Sequence, residues 1–126
     1  MKLREVASPA APPAPTYAQA IEVTGISRLL FVSGQIPATP DGTVPAAFAD
    51  QSRLAWANVT AQLAAAGMTL DNLVKVTIYL ADRSHIADYR HSRDEALGGR
   101  RVALTTIFAD IFDNAWQIEI EAIAAA

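Results

Sequence analysis

The segment 116–123 near the C-terminus alternates between apolar and polar residues, which is the pattern of a β-strand with one buried face. One face carries Trp116, Ile118, Ile120 and Ala122, and the opposite face carries Gln117, Glu119, Glu121 and Ile123. Two carboxylates on one strand face usually mark its solvated side, so a functional interpretation requires that this face be enclosed. The strand therefore predicts a sheet whose apolar face is covered and whose acidic face needs a separate explanation.

The remainder of the chain predicts the elements around this strand. Strands are expected at 17–23, 28–33, 73–80 and 103–110, and helices at 45–66 and 84–97. Short turns join the first two strands and the last two, so each pair is predicted to form a hairpin. In the first helix the buried stripe recurs at spacings of three and four, at Phe48, Ser52, Ala55, Val59, Leu63 and Ala66.

The predicted element order is β-β-α-β-α-β-β, in a single domain over residues 1–126 with an extended Pro/Ala-rich lead-in at 1–15. Helices that alternate with strands in this way cover one sheet face. The predicted fold class is therefore α+β, a two-layer sandwich of a mixed β-sheet with two helices on one face.

The uncovered sheet face is expected to be too apolar for water and too polar for an ordinary core. Its predicted members are Thr77, Tyr79, Leu104, Thr106, Phe108, Glu119 and Ile123. Such a face is satisfied by packing against other copies of the chain in a closed ring. The pattern thus predicts an oligomer with ligand sites between subunits.

Composition narrows the function classes. A net charge of −3 argues against a nucleic-acid partner, because phosphate backbones are bound by clustered Lys and Arg. The chain has no cysteines, which excludes disulfides, thiolate catalysis and a Cys-based metal site, and its two histidines are not spaced as a ligand pair. No metal site is expected. No apolar run suits a signal peptide or a membrane span, so the expected location is the cytoplasm.

Four segments resemble the signature blocks of the RidA/YjgF family, whose members are also known as L-PSP endoribonucleases or translation inhibitors. They are Tyr17-Ala-Gln-Ala, Phe31-Val-Ser-Gly-Gln-Ile-Pro, Asn72-Leu-Val-Lys-Val-Thr-Ile-Tyr-Leu and Ile118-Glu-Ile-Glu-Ala-Ile-Ala. The resemblance implies a chorismate-mutase-like fold and a homotrimer with sites at the subunit interfaces. It also implies hydrolysis of reactive enamines and imines, such as 2-aminoacrylate, to 2-keto acids and ammonia without a cofactor.

The resemblance assigns roles to individual positions. Glu119 stands where the family has its water-activating glutamate, Tyr17 stands at the pocket tyrosine, and Ser33 and Gly34 match the pocket-lining strand end. Three positions depart from the family pattern: Arg90 replaces a helix asparagine, Leu104 replaces the carboxylate-binding arginine, and Thr106 replaces a frequent cysteine.

Leu104 leaves two interpretations open. A guanidinium clamps a carboxylate through two charge-assisted hydrogen bonds, whereas leucine offers only hydrocarbon beside Glu119. Either the substrate is altered, or another arginine replaces the missing carboxylate clamp. The candidates are Arg90, Arg100 and Arg101, and the alternative for Arg100 and Arg101 is a surface role. The chain is thus expected to be an imine or enamine hydrolase with changed substrate preference, or a non-catalytic trimer that binds a small molecule or a partner protein. A ribonuclease fits poorly, since no histidine pair or lysine cluster is placed for phosphodiester cleavage.

Overall fold

The computed structural model describes residues 1–126 and contains six strands and two α-helices. They are β1 Lys2–Val6, β2 Ala20–Thr24, β3 Leu29–Gln35, α1 Phe48–Ala65, β4 Leu73–Leu80, α2 Ile86–Leu97, β5 Ala103–Phe108 and β6 Ile118–Ala125. The predicted α+β fold class, a mixed sheet with two helices, is confirmed. The predicted order lacked one strand, β1, so the observed order is β-β-β-α-β-α-β-β.

The main sheet has four strands in the order β3-β6-β4-β5. Strand β6 is antiparallel to both β3 and β4, whereas β5 is parallel to β4. The predicted hairpin of the last two strands is therefore wrong, because β4 lies between them. Strands β4 and β6 are central and contain the most completely buried residues of the sheet, among them Ile78 and Ile120. Strands β3 and β5 are the edge strands.

Strands β1 and β2 form a separate two-stranded sheet. The predicted hairpin of segments 17–23 and 28–33 is also wrong. Strand β2 pairs instead with β1, at residues 2–6 of the lead-in. Arg4 closes this pair by donating to both carboxylate oxygens of Glu22, at 3.0 and 2.9 Å. Arg101 holds the pair to the main body through a 2.7 Å hydrogen bond to Glu5.

The core lies between α1 and the four-stranded sheet, and the predicted helix stripe forms one side of it. Phe48, Ser52, Ala55, Val59 and Leu63 are buried, while Ala66 is half-buried at its margin. Each large apolar side chain in this layer contributes about 1.5–3 kcal/mol by burial. The Ser52 and Ser92 hydroxyls bond at 2.9 Å and join the two helices. Neither helix combines the length and apolar character needed to cross a membrane.

Candidate functional site

Strand β5 presents Leu104 and Thr106 to the helix layer, not to the uncovered sheet face. In the parallel pairing, Leu104 lies opposite Val76 and Thr106 lies opposite Ile78, and both partners are fully buried under the helices. Directly opposed residues share a face, so the prediction that Leu104, Thr106 and Phe108 line the uncovered face is wrong. The error follows from the assumed hairpin, which placed β5 beside β6.

Leu104 and Thr106 belong to a cleft of about 410 Å³ between α2 and the edge strand, termed here the α2 cleft. Its lining consists of Tyr17, Tyr89, Arg90, Arg93, Leu104, Thr105 and Thr106. The Tyr89 hydroxyl is hydrogen-bonded to Oγ1 of Thr106, which ties the helix to the strand across the cleft floor. Four of the predicted site residues therefore come together here, namely Tyr17, Arg90, Leu104 and Thr106.

Tyr17 reaches the α2 cleft because the chain before it is fastened to the start of β5. The backbone N–H of Ala18 donates to the carbonyl of Val102 at 2.9 Å, and Ala18 forms a parallel bridge with Ala103. Arg101 donates to the carbonyls of Ala14, Pro15 and Tyr17 at 3.2, 3.0 and 2.8 Å. Its hydrogen bonds to Glu5 raise the pKa of Arg101 above the ordinary arginine value, so the guanidinium stays protonated.

Arg93 also lines the cleft, although the sequence analysis did not single it out. The residue as a whole is 9% exposed, and its Cζ lies 5.4 Å from the centroid of the Tyr89 ring. The signal was present in the spacing: Tyr89, Arg93 and Leu97 recur every four residues and share one helix face. Burial lowers the pKa of Arg93, but polar contacts with Tyr89 and Asp94 outweigh it, so the pKa lies above its ordinary value.

Glu119 lies on the other face of the sheet, opposite Tyr79 of β4. It lines a second cleft of about 340 Å³, the β6 cleft, with Gly34, Tyr79, Ala109, Asp110, Ile111, Phe112 and Glu121. The carboxylate of Glu119 lies directly over Gly34. A Cβ at position 34 would overlap Oε1 of Glu119 and lie 2.8 Å from its Cδ. The absence of a side chain at Gly34 is thus what gives Glu119 its position.

The β6 cleft is acidic and has an apolar rim. The Tyr79 hydroxyl donates to Oε1 of Glu121 at 2.7 Å. This hydrogen bond, then burial, then the charges of Glu121 and Glu119 raise the pKa of Tyr79, so the phenol stays protonated beside the carboxylates. Phe112 is 96% exposed at the rim, and its ring contacts that of Trp116 at a centroid distance of 6.4 Å.

Ser33 lines neither of these clefts. It is exposed on the uncovered sheet face, in a neighbouring depression shared with Phe31, Lys75, Thr77 and Glu121. The pairing of β3 with β6 shifts register between Val32 and Gln35, and Ser33 and Gly34 lie within this irregularity. Gly34 thus lies at an irregularity of strand β3, and the group closest to its backbone is the Glu119 carboxylate.

Within one chain, the predicted site residues other than Ser33 thus form two separate groups. Tyr17, Arg90, Leu104 and Thr106 line the α2 cleft, whereas Gly34 and Glu119 line the β6 cleft. The expectation that Leu104 provides a hydrocarbon neighbour for Glu119 does not hold inside a single chain. Parallel pairing of β5 turns Leu104 toward the helices, while antiparallel pairing of β6 turns Glu119 away from them.

Two of the three arginines considered as substitutes for the missing guanidinium are engaged elsewhere. Arg100 donates to Asp71 at 2.6 Å and to the Leu97 carbonyl at 3.0 Å. Arg101 is occupied by Glu5 and the lead-in carbonyls. Arg90 is exposed and makes no hydrogen bond, so it is free to meet a ligand at the cleft mouth. The chain has no group of three or more His, Asp or Glu side chains placed to hold a metal ion.

The two clefts offer complementary chemistry. The α2 cleft combines cations and hydroxyls with the hydrocarbon of Leu104, which suits a small anion with an apolar part. The β6 cleft supplies a half-buried carboxylate, which suits proton transfer to or from water.

Comparison with known proteins gives a consistent result. A family model described as Endoribonuclease L-PSP matches residues 8–126. Protein HMF1 of Saccharomyces cerevisiae is 34% identical over 113 residues, which are 89% of this chain and 85% of HMF1. TdcF of Escherichia coli, which carries the provisional name reactive intermediate deaminase, is 36% identical over 72 residues, which are 56% of this chain and 54% of TdcF.

Solved structures agree over almost the whole length. The crystal structure of TdcF with bound serine superposes with a TM-score of 0.72 at 28% identity, covering 98% of each chain. The crystal structure of the YjgF gene product of E. coli superposes with a TM-score of 0.70 at 31% identity, covering 97% of this chain and 98% of that one.

Proposed function

The chain belongs to the Endoribonuclease L-PSP family, which is the RidA/YjgF family of the sequence resemblance, and on that premise we propose that it is a cofactor-independent hydrolase of small imines and enamines. The observation that carries the proposal is the placement of the Glu119 carboxylate in an open cleft, over a glycine that leaves room for it.

Glu119 is the proposed catalytic residue, and the reaction balances without any further reagent. The carboxylate accepts a proton from water as the water oxygen bonds to the imine carbon, the C=N electron pair moves to nitrogen, and Glu119 returns the proton to that nitrogen. In the resulting carbinolamine, Glu119 takes the hydroxyl proton and delivers it to the amino nitrogen as the C–N bond breaks. Ammonia leaves and the C–O bond becomes the carbonyl. An enamine enters the same path after its carbon is protonated to give the imine.

A complete site on this proposal requires a second copy of the chain. Glu119 and the α2 cleft lie on opposite faces of one sheet, so a substrate held by the α2 cleft meets the Glu119 of a neighbour. Phe31 and Ile107 on the uncovered face are 70% and 44% exposed, which supports its burial against another chain. The family resemblance sets the number of copies at three, and each homotrimer would have three sites between subunits.

The substrate is proposed to be of amino-acid size and more apolar than 2-aminoacrylate. TdcF is a relative whose crystal structure contains bound serine, which supports a small amino-acid-like ligand. Leu104 and the aromatic rings of Tyr17 and Tyr89 favour a hydrocarbon substituent in the α2 cleft. A location in the cytoplasm and the lack of a nucleic-acid partner stay predictions.

The test supplies fresh imines and measures their hydrolysis. An amino acid oxidase generates 2-imino acids from alanine, valine and leucine, and semicarbazide trapping separates enzymatic from spontaneous decay. The protein is expected to accelerate release of ammonia and keto acid. Glu119→Gln should lose roughly 10²–10⁴-fold of that rate. The matched control Glu95→Gln, on the exposed side of α2, should keep it.

Two outcomes would reject the proposal. Glu119→Gln with wild-type activity rules out the mechanism. If no imine, charged or uncharged, is consumed above background while small ligands still raise the melting temperature, the protein is a non-catalytic binding trimer instead.

A further inference from the structure

We propose that Arg93 is the anion-binding residue of the α2 cleft, so that the guanidinium expected at position 104 is supplied from helix α2 instead. The inference deepens the proposed function, since it concerns the substrate group that the same site holds. It assigns a ligand class to the cleft: small monocarboxylates with an apolar substituent.

The first argument is the state of the guanidinium. Arg93 is one of four buried polar or charged residues and the only one with a formal charge. Its Nε and Nη2 donate to a single oxygen, Oδ1 of Asp94, at 3.1 and 3.0 Å. Arginine has five N–H donors, and Nη1 makes no hydrogen bond in the structure. Because Arg93 lines the cleft and Nη1 is not a buried unpartnered atom, this donor is accessible to a ligand.

The second argument is the weakness of the existing partner. The Asp94 side chain is 62% exposed, whereas that of Arg93 is 10% exposed, so Asp94 pairs from the solvent side. An ion pair with one exposed member contributes little to stability, while the buried member still bears its desolvation cost. Asp94 therefore occupies only the solvent side of the guanidinium. A ligand carboxylate would approach Arg93 from the cleft side.

The third argument is what surrounds Arg93. Leu104 adds hydrocarbon, and the linked hydroxyls of Tyr89 and Thr106 add polar groups to the same cleft. The ring of Tyr89 fixes the guanidinium by contact with its face. A carboxylate on Arg93 would thus have its substituent near Leu104. Arg90, in contrast, is exposed at the mouth, where water screens its charge.

The experiment measures binding without turnover. Calorimetry compares 2-oxobutanoate with its uncharged carboxamide on the full-length wild-type protein and on variants. The wild type is expected to prefer the carboxylate. Arg93→Gln should weaken carboxylate binding by about 30-fold or more and leave the amide unchanged. Arg90→Gln should weaken it only a few-fold. The matched control Arg53→Gln, on the far side of the helix pair, should have no effect.

A second variant keeps the test decisive if Arg93→Gln does not fold. Arg93→Lys retains the charge but not the planar pair of donors, so it should lose about tenfold in carboxylate affinity. Wild-type affinity in a folded Arg93→Gln or in Arg93→Lys would overturn the inference, as would a wild type that binds acid and amide equally.

Failure here is distinguishable from failure of the proposed function. If Arg93 governs carboxylate binding but no imine is hydrolysed, the anion site stands and the hydrolase does not. If imines are hydrolysed with equal KM by wild type and Arg93→Gln, the hydrolase stands and the anion site does not. Support for both requires that Arg93→Gln raise KM for 2-imino acids and not for uncharged imines.

Discussion

The carboxylate of Glu119 occupies the space that a methyl group on Gly34 would need. Strand β3 departs from regular pairing at this point, and β6 brings the acid to it. The two residues form one structural unit, because the position of the acid depends on the absence of a side chain at Gly34.

Gly34→Ala should move Glu119 and abolish activity while the fold survives. The clashing atoms are at the end of a flexible side chain, and Gly34 does not have a positive φ, so alanine adds no backbone strain. We expect an unchanged melting temperature to within a few degrees and a loss of imine hydrolysis approaching that of Glu119→Gln. In the Glu119→Gln background, Gly34→Ala should cause no further loss. Additive losses would show that Gly34 acts independently of Glu119.

Arg101→Gln should release the segment that positions Tyr17. The substitution removes the hydrogen bonds to Glu5 and weakens those to three backbone carbonyls. We expect faster amide exchange at residues 2–24 and a higher KM, with a smaller change in kcat. Arg100→Gln is the matched control, because Arg100 bonds to Asp71 and Leu97 and not to the lead-in. Equal exchange in the two variants would contradict this role for Arg101.

The N-terminal strand pair should loosen in acid. The hydrogen bond from Arg101 holds the pKa of Glu5 below its ordinary value of 4.5, against a smaller opposing effect of desolvation. A carboxyl with a depressed pKa contributes its stability fully above the ordinary value and loses it as the pH falls through the folded-state pKa. Amide protection factors at residues 2–24, which correct for the intrinsic pH dependence of exchange, should therefore fall below pH 4.5 in the wild type. Glu5→Gln should exchange rapidly at every pH and show less of this dependence.

Phe31→Glu should dissociate the proposed trimer. Phe31 is 70% exposed on the uncovered sheet face, and a carboxylate there could not be buried in an interface without a partner. Light scattering should report three chains of 13.4 kDa for the wild type and one for the variant, with loss of imine hydrolysis. Ile26→Glu, in the turn before β3, is a control that should stay trimeric. A monomeric wild type would remove the basis for sites between subunits.

Much of the fold could be read from local pattern. The stripe from Phe48 to Leu63 and the alternation along β6 each depend only on whether a residue faces the core, which the chain's own periodicity encodes. Strand order cannot be read from periodicity, because it depends on which segments occupy the central positions of the sheet. The sequence resemblance identified Glu119 and Gly34 as site positions, but their mutual contact across two strands required coordinates.

The surroundings of Arg93 and Leu104 could not be predicted from the sequence. The sequence resemblance placed Leu104 beside Glu119, whereas within one chain the parallel pairing with β4 turns Leu104 to the other sheet face. Arg93 was not singled out from the sequence, because charged side chains are rarely buried. Only the tertiary packing of α2 against β5 shows that this arginine is enclosed.

The central place of β6 also constrains how the protein can be made. Both of its neighbours, β3 and β4, are synthesised before it, yet neither is paired with the other. Until Ile118–Ala125 pairs, the inner edges of β3 and β4 have no partner, and the sheet surface under the helices is incomplete. A variant whose β6 cannot pair should therefore aggregate instead of keeping a smaller stable fold.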